Sequence, residues 1–315
     1  MRVGFWLLLG LLVAVHAAAA EKIVIAHRGA SGYLPEHTLA AYAYAHALGA
    51  HYIEPDLVRT KDGHFIALHD IHLEGTTDVE ERFPDRKRED GRWYAIDFTL
   101  AEIRTLSAHE RLPRRFPVGA AHFGVPTLDE VIELVQGLNQ STGREAGIYP
   151  ELKEPAFHAR EGQPMEADFL AILTRHGYTG PDAKCFVQCF EAPPLKRLRE
   201  ELKTELPLIQ LIGGSAVKMV SAEGLDAIAA YANGIGPEKG LVERDPALVA
   251  RAHARGLKVH PYTVRRDAKP PAYPTTQDEL RALFFTHNVD GLFADFPDDA
   301  VAVLREGPAA GAPTP

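Results

Sequence analysis

An imidazole and a guanidinium stand side by side at His27-Arg28, directly after the apolar, β-branched run Ile23-Val24-Ile25-Ala26. A buried strand has no structural need to end on two such groups. A site that handles an anion uses both: an arginine grips two phosphate oxygens at once, and a histidine moves protons near neutral pH. Other apolar runs end in a similar way. The run 51–57 carries Glu54-Pro55-Asp56, the run from Phe65 ends in His69-Asp70, and the run from Gly147 ends in Glu151-Leu152-Lys153. Two later runs offer Gln188 and Tyr262.

Glu54 and Asp56 are two apart, so on a strand they share a face. Carboxylates turned into one pocket repel unless something positive sits among them. With Glu151 they make three hard oxygen donors and no thiolate, a set that favours Ca2+ or Mg2+ over zinc. The plain alternative is surface acids paired with Arg59 or Lys61. Each histidine alone is a weak signal in a chain with 15 of them. His27 and His69 matter as a pair because both fall at run ends beside carboxylates, where two imidazoles can share general acid and general base duties. A metal with Arg28, Lys153 and two histidines reads as phosphoester chemistry. Glycosidase chemistry would not need the cations, and no G-x-S-x-G marks a serine esterase.

Short apolar runs alternate with helical patterns along the chain. Candidate strands are 23–27, 51–57, 65–69, 147–152, 184–190, 207–211, 234–236, 257–262 and 290–293. Candidate helices are 38–48, 127–138, 167–176, 194–202, 225–231, 246–255, 277–285 and 298–305, the second opened by Thr127 with Glu130 three residues on. Gly49, Gly177 and Gly256 fall where helices should stop. This alternation predicts an α/β fold with parallel strands, and its length and repeat count fit a closed TIM (β/α)8 barrel better than an open sheet. No G-x-G-x-x-G follows the first strand, which weakens a dinucleotide-binding reading. Residues 71–125 are charged and turn-rich and break the rhythm. They read as a small insertion after the second βα region, packed at the barrel mouth, with the charge run 80–91 as a solvated face.

The 46% hydrophobic and 24% charged fractions are those of an ordinary globular protein. Arg2, an apolar stretch from Phe5 to Val15 and the alanines 17–20 form the pattern of a secretory signal peptide over residues 1–20. The stretch is short for a span, which wants about 20 apolar residues. The mature barrel domain is then 21–306, followed by a flexible Pro/Ala/Gly-rich tail, 307–315. The formal net charge of −9 argues against non-specific binding of nucleic acid or anionic membranes. Cys185 and Cys189, the two cysteines, would lie about 13 Å apart on one strand face. A disulfide needs Cα atoms within roughly 7 Å, so both are expected reduced and buried.

At these motifs the sequence resembles the glycerophosphodiester phosphodiesterase family. The resemblance rests on His27-Arg28-Gly29, Pro35-Glu36-x-Thr38, Glu54-Pro55-Asp56, Asp62-Gly63 and His69-Asp70. It continues through Thr76-Thr77-Asp78, 149–153, 188–190, 260–265 and 290–298, and looks closest to the exported, calcium-dependent bacterial branch. It implies a TIM barrel and hydrolysis of a small-molecule glycerophosphodiester to sn-glycerol 3-phosphate and an alcohol. It also implies His27 and His69 as the acid–base pair, and Glu54, Asp56 and Glu151 as ligands of one divalent cation, Ca2+ ahead of Mg2+. Arg28 and Lys153 would hold the phosphate, with Gln188 and Tyr262 lining the pocket. The nucleophile is left open between water and the glycerol 2-hydroxyl. Export to a periplasm, no lasting membrane anchor after cleavage, and a homodimer as one open oligomeric state complete the expectations. Two departures stand out: His37 occupies the family's usual Asn position, and the segment 213–224 is short. The competing readings are a lipid-cleaving phospholipase on the same barrel, which would need an apolar rim, and a non-catalytic binding protein that kept the fold.

Overall fold

The computed structural model describes residues 21–308. The leader assigned to 1–20 and residues 309–315 of the tail lie outside the described residues. Its strands are β1 (Ile23–Ala26), β2 (Tyr52–Ile53), β3 (Asp56–Arg59), β4 (Phe65–Ala67), β5 (Gly147–Ile148), β6 (Glu151–Leu152), β7 (Val187–Cys189), β8 (Leu208–Ile212), β9 (Gly234–Pro237), β10 (Lys258–Val259) and β11 (Gly291–Ala294). Two of the expected strands are each broken in two. The breaks fall at Glu54-Pro55 and Tyr149-Pro150, where a proline withdraws its N–H from the ladder. The carbonyls stay in register: Glu151 N–H donates to Pro55 O (2.9 Å) and Gln188 N–H to Pro150 O (3.0 Å).

With β2–β3 and β5–β6 each taken as one interrupted strand, eight parallel strands follow one another in chain order. β1 pairs with β2 and β11, β2 with β5, β3 with β6, β6 with β7, and β7 through β10 pair in sequence. The ring closes where Asp290 N–H donates to Val259 O and Phe293 N–H to Pro261 O, both 3.0 Å. The fold is an α/β barrel, as the alternation predicts.

Helices cover the outside, and their ends follow local chemistry. Thr127 and Glu130 form a reciprocal capping box on the helix Leu128–Thr142, satisfying two N–H groups that a helix start leaves unpaired. Gly49, Gly177 and Gly256 take positive φ (98°, 85° and 71°), the left-handed turn that ends a helix. Helices Pro155–Arg160 and Lys239–Arg244 are present where the sequence pattern gave no signal. No described helix is long and apolar enough to cross a membrane. Cys185 and Cys189 are free and buried, as their spacing requires.

Two expectations need correction. The run 65–69 is not a barrel strand: β4 is antiparallel to β3 and folds back on it as a hairpin. Residues 71–125 do not follow the second helix; they lie between β4 and that helix, inside the second βα connection. They carry an apolar cluster of their own, with Leu73, Trp93, Phe98, Ile103 and Leu106 packed on Val58 and Ile66 of the hairpin. Part of the charge run is also tied down. Arg86 donates to Glu102 (2.7 Å), and Arg88 reaches both Asp97 and Glu161.

Candidate active site

Inward-facing positions recur every second residue along a strand. Ile25, Tyr52, Tyr149, Phe186, Ile209 and Phe293 form one apolar cluster inside the barrel. His260 packs its ring against Tyr149 and Phe186 and accepts or donates at Nδ1 with the Tyr149 hydroxyl (2.8 Å). Two residues further along, the interior turns polar on most strands, with His27, Glu54, Glu151, Gln188, Tyr262 and Asp295, while Leu211 keeps β8 apolar. The aromatic layer is therefore the floor of the site. Gly147 makes room for it, since a Cβ there would lie 2.4 Å from Tyr52 Cε1.

All nine residues singled out from the sequence line one cavity of about 270 Å3. Asp56 and Glu151 are direct partners across β3 and β6, and Glu151 is the partner of Gln188 on β7. Ligand oxygens of Glu54, Asp56 and Glu151 lie within 4.8 Å of one another, and all three residues are buried. Among the described residues this is the one such cluster of metal-competent groups. Arg59 does not neutralise it: its guanidinium donates to Asp168, Pro164 O and Gly63 O instead. The three acids are buried, so the surface ion-pair alternative fails.

The electrostatics are those of crowded acids. Burial, then repulsion from Asp56 and Glu151, pushes the Glu54 carboxyl well up. Burial raises Glu151 to about 8, with Lys153 pulling the other way and Asp56 adding to the rise. Asp56 stays well below the usual carboxylate range despite burial, because Lys153 and His37 favour its charge. Its Oδ2 faces His37 Nε2 (2.9 Å) and Arg28 Nε (3.4 Å). Its Oδ1 is buried with no hydrogen-bond partner.

Each pocket histidine is oriented by an aspartate. His27 Nδ1 meets Asp295 Oδ1 at 2.7 Å, and His69 Nδ1 meets Asp70 Oδ1 at 2.6 Å. An ionised carboxylate only accepts, so Nδ1 carries the proton in both rings and Nε2 is left for chemistry. Burial, then Arg28, lowers His27 to about 4, while Asp295 works the other way. Burial alone would raise Asp295, but the hydrogen bond from His27 and the charges around it hold it well below its usual range.

Arg28 adopts a left-handed backbone (φ 57°). That turns its N–H onto Glu54 Oε2 (2.6 Å) while its guanidinium donates to both oxygens of Glu36 (3.1 and 3.2 Å). Lys153 Nζ donates to Glu151 Oε1 (2.7 Å) and lies 3.8 Å from Asp56 Oδ1. Gln188 is buried and donates weakly to Glu54 Oε1 (3.3 Å). The Tyr262 hydroxyl donates to Ile212 O (3.2 Å), and its ring meets Phe190 edge-on, centroids 5.8 Å apart.

Several contributors escaped the sequence reading. Asp70, Glu36 and Asp295 stood inside its motifs without a role; Asp70 next to His69 and Glu36 eight residues after Arg28 were available signals, whereas Asp295 lies 268 residues from His27 and gave none. Phe190, Glu238, Thr263 and Arg265 also line the cavity. Arg111 and Arg115 reach the site from the insertion, and nothing in their charged surroundings marked them.

Three comparisons with known proteins bear on this geometry. Residues 27–299 match the model of the "Glycerophosphoryl diester phosphodiesterase family". A glycerophosphodiester phosphodiesterase of Haemophilus influenzae is 38% identical, with 90% of each chain covered. One of Treponema pallidum is 33% identical, over 92% of this chain and 94% of that one. Among solved structures, a putative glycerophosphoryl diester phosphodiesterase of Silicibacter pomeroyi superposes with a TM-score of 0.72 at 26% identity, covering 92% and 95% of the two chains. A phosphodiesterase of Oleispira antarctica, solved in complex with the product sn-glycerol-3-phosphate, has the same fold: TM-score 0.67, 22% identity, 90% and 96% covered.

Proposed function

The chain belongs to the glycerophosphoryl diester phosphodiesterase family and is a phosphodiesterase; on that premise we propose a metal-dependent, two-histidine hydrolysis of glycerophosphodiesters to sn-glycerol 3-phosphate and an alcohol. One observation carries the reading. A single cavity is lined by two histidines, three clustered carboxylates, Arg28 and Lys153. The product found on the Oleispira protein supports the phosphate side of the reaction.

The acidic cluster fits a divalent cation. Asp56 Oδ1 is a buried acceptor without a donor, and burial, with neighbouring carboxylates adding to it, disfavours the charged forms of Glu54 and Glu151, a penalty that a cation would offset. Glu54, Asp56 and Glu151 would hold the ion; the all-oxygen donor set suits Ca2+ or Mg2+, and the resemblance to the calcium-dependent branch puts Ca2+ first. Such an ion, when bound, supplies positive charge for a reaction whose transition state gathers negative charge. Arg28 and Lys153 hold the phosphodiester and add to that neutralisation. One imidazole Nε2 takes the proton of the nucleophile, water or the glycerol 2-hydroxyl, and the other returns a proton to the leaving alcohol. Gln188 and Tyr262 line the pocket, with Phe190 as an outer wall. The leader-like segment 1–20 supports export, which in a double-membraned bacterium leads to the periplasm.

A lipid-cleaving reading lacks its rim. Of the exposed large hydrophobic side chains described, Phe190 alone lines the cavity. The test is release of glycerol 3-phosphate from glycerophosphocholine and related diesters. His27→Ala and His69→Ala should each lower the rate by about 10^2–10^4. Full activity in either variant removes that histidine from the mechanism.

A further inference from the structure

Most of the insertion's loop 111–122 is exposed or half-exposed, yet Arg115 has only 6% of its side chain exposed. Its Nη2 donates to Asp295 Oδ2 (2.7 Å), the oxygen opposite the one that meets His27. Its Nε and Nη2 also grip Asp267 (2.8 Å each), and Nη1 donates to Ser31 O (3.1 Å). Four residues earlier, Arg111 repeats the pattern on the other histidine. Its Nη2 donates to Asp70 Oδ2 (3.1 Å), opposite the oxygen that meets His69, and to Glu36 Oε1 (2.8 Å). Glu36 in turn holds the Arg28 guanidinium.

We infer that Arg111 and Arg115 are positioning residues: from the insertion, each fixes the aspartate that orients one of the two pocket histidines. The inference rests on the reading of His27 and His69 as the proton-transfer pair. The physical reason is local. A carboxylate bound through one oxygen to an imidazole can still swing about its Cβ–Cγ bond, and the ring swings with it. A charge-assisted hydrogen bond on the second oxygen removes that freedom. If the arginines served only to fasten the loop, any acidic partner would do, and Asp267 alone already anchors Arg115 by two bonds. Both instead divide their donors so that one reaches a histidine's aspartate. The two latches are unequal. Asp295 is buried at the end of β11 and also receives Arg265 Nε (3.0 Å). Asp70 is one-third exposed, follows a hairpin instead of a barrel strand, and has Arg111 as its one arginine partner among the described residues. Arg111 therefore carries the larger effect.

The test uses the whole chain with its metal and compares Arg111→Met, Arg115→Met, Arg111→Lys and Arg115→Lys with Arg114→Met. Arg114 is exposed and lies in the same loop, so the last variant removes an equal charge without touching either aspartate. Two substrates are assayed: glycerophosphocholine, whose alkoxide must be protonated as it leaves, and the p-nitrophenyl diester of glycerol 3-phosphate, whose phenolate leaves unaided. Arg111→Met should lower kcat on glycerophosphocholine by about 10–100-fold and Arg115→Met by less, with melting temperature held. The lysine variants, which keep the charge and lose the fork, should recover part of the loss. The variant whose histidine is the general acid should be rescued by the nitrophenyl substrate, and the other should not.

Kinetics of both arginine variants matching Arg114→Met would overturn the inference. So would equal losses on both substrates in both variants, or equal rescue in both, because a loop fastener has no side of the reaction. His27→Ala and His69→Ala are run alongside. If they stay active the acid–base reading fails; if they are dead and the arginine variants are normal, the latch alone fails.

Discussion

Asp56 shows how much one side chain carries in this site. One oxygen faces His37 and Arg28, and the other has no donor and faces the acidic cluster. His37 stands where the family resemblance leads one to expect Asn, and the structure gives it a specific task. Its Nε2 donates to Asp56 (2.9 Å) and its Nδ1 pairs with the Tyr42 hydroxyl (2.7 Å), from a left-handed backbone (φ 60°). Asn tolerates that backbone and its amide can donate to Asp56, but it is too short to span to Tyr42 as well. His37→Asn should therefore keep kcat near that of the parent and lose about 1 kcal/mol of stability, read from urea unfolding. A loss of activity without a loss of stability would mean that the imidazole takes part in the reaction.

At the scale of elements, the barrel was legible because its signals are local. Short β-branched runs, helix caps such as Thr127 with Glu130, and terminal glycines each have a near-neighbour cause. The site was legible for a related reason: on a strand, the polar residue after two apolar inward positions lies at the mouth. His27, Glu54 and Glu151 follow that rule. His69 does not. It ends an apolar run and reaches the cavity by way of the β4 hairpin and the turn after it. Antiparallel return is a tertiary outcome that the run 65–69 does not encode by itself. The insertion was legible as a break in rhythm and illegible in its use. Arg111 and Arg115 look like any other basic residues in a charged stretch, and only the folded geometry shows which carboxylates they reach. The helix boundaries moved by a few residues. The helix begun at Thr127 runs on to Thr142 because Gly143, not Leu138, takes the left-handed turn (φ 70°).

At the scale of the whole molecule, two histidines outside the acidic cluster, His158 and His260, are buried. Burial lowers His260 to about 3, and burial followed by Arg59 lowers His158 to about 4. In the unfolded chain a histidine titrates near 6.5. Between pH 6.5 and these values the unfolded chain takes up protons that the folded chain refuses. The stability due to each neutral ring is thus complete above pH 6.5 and is lost as the pH falls. His158, whose two ring nitrogens have no partner, isolates the effect. His158→Leu should become more stable than the parent by ~1.4 kcal/mol for each pH unit below about 6.5, down to about 4. Parallel stability curves for parent and variant across that range would show that His158 charges without opening the fold.

The central claim is that three buried carboxylates hold a cation that the hydrolysis needs. The direct measurement is glycerol 3-phosphate release from glycerophosphocholine by the protein after chelation, then with Ca2+ or Mg2+ restored separately, with bound metal assayed in each sample. Activity should be lost with the metal and regained with one of the two ions, with no recovery in Asp56→Asn. Full activity in protein shown to be metal-free would contradict the claim.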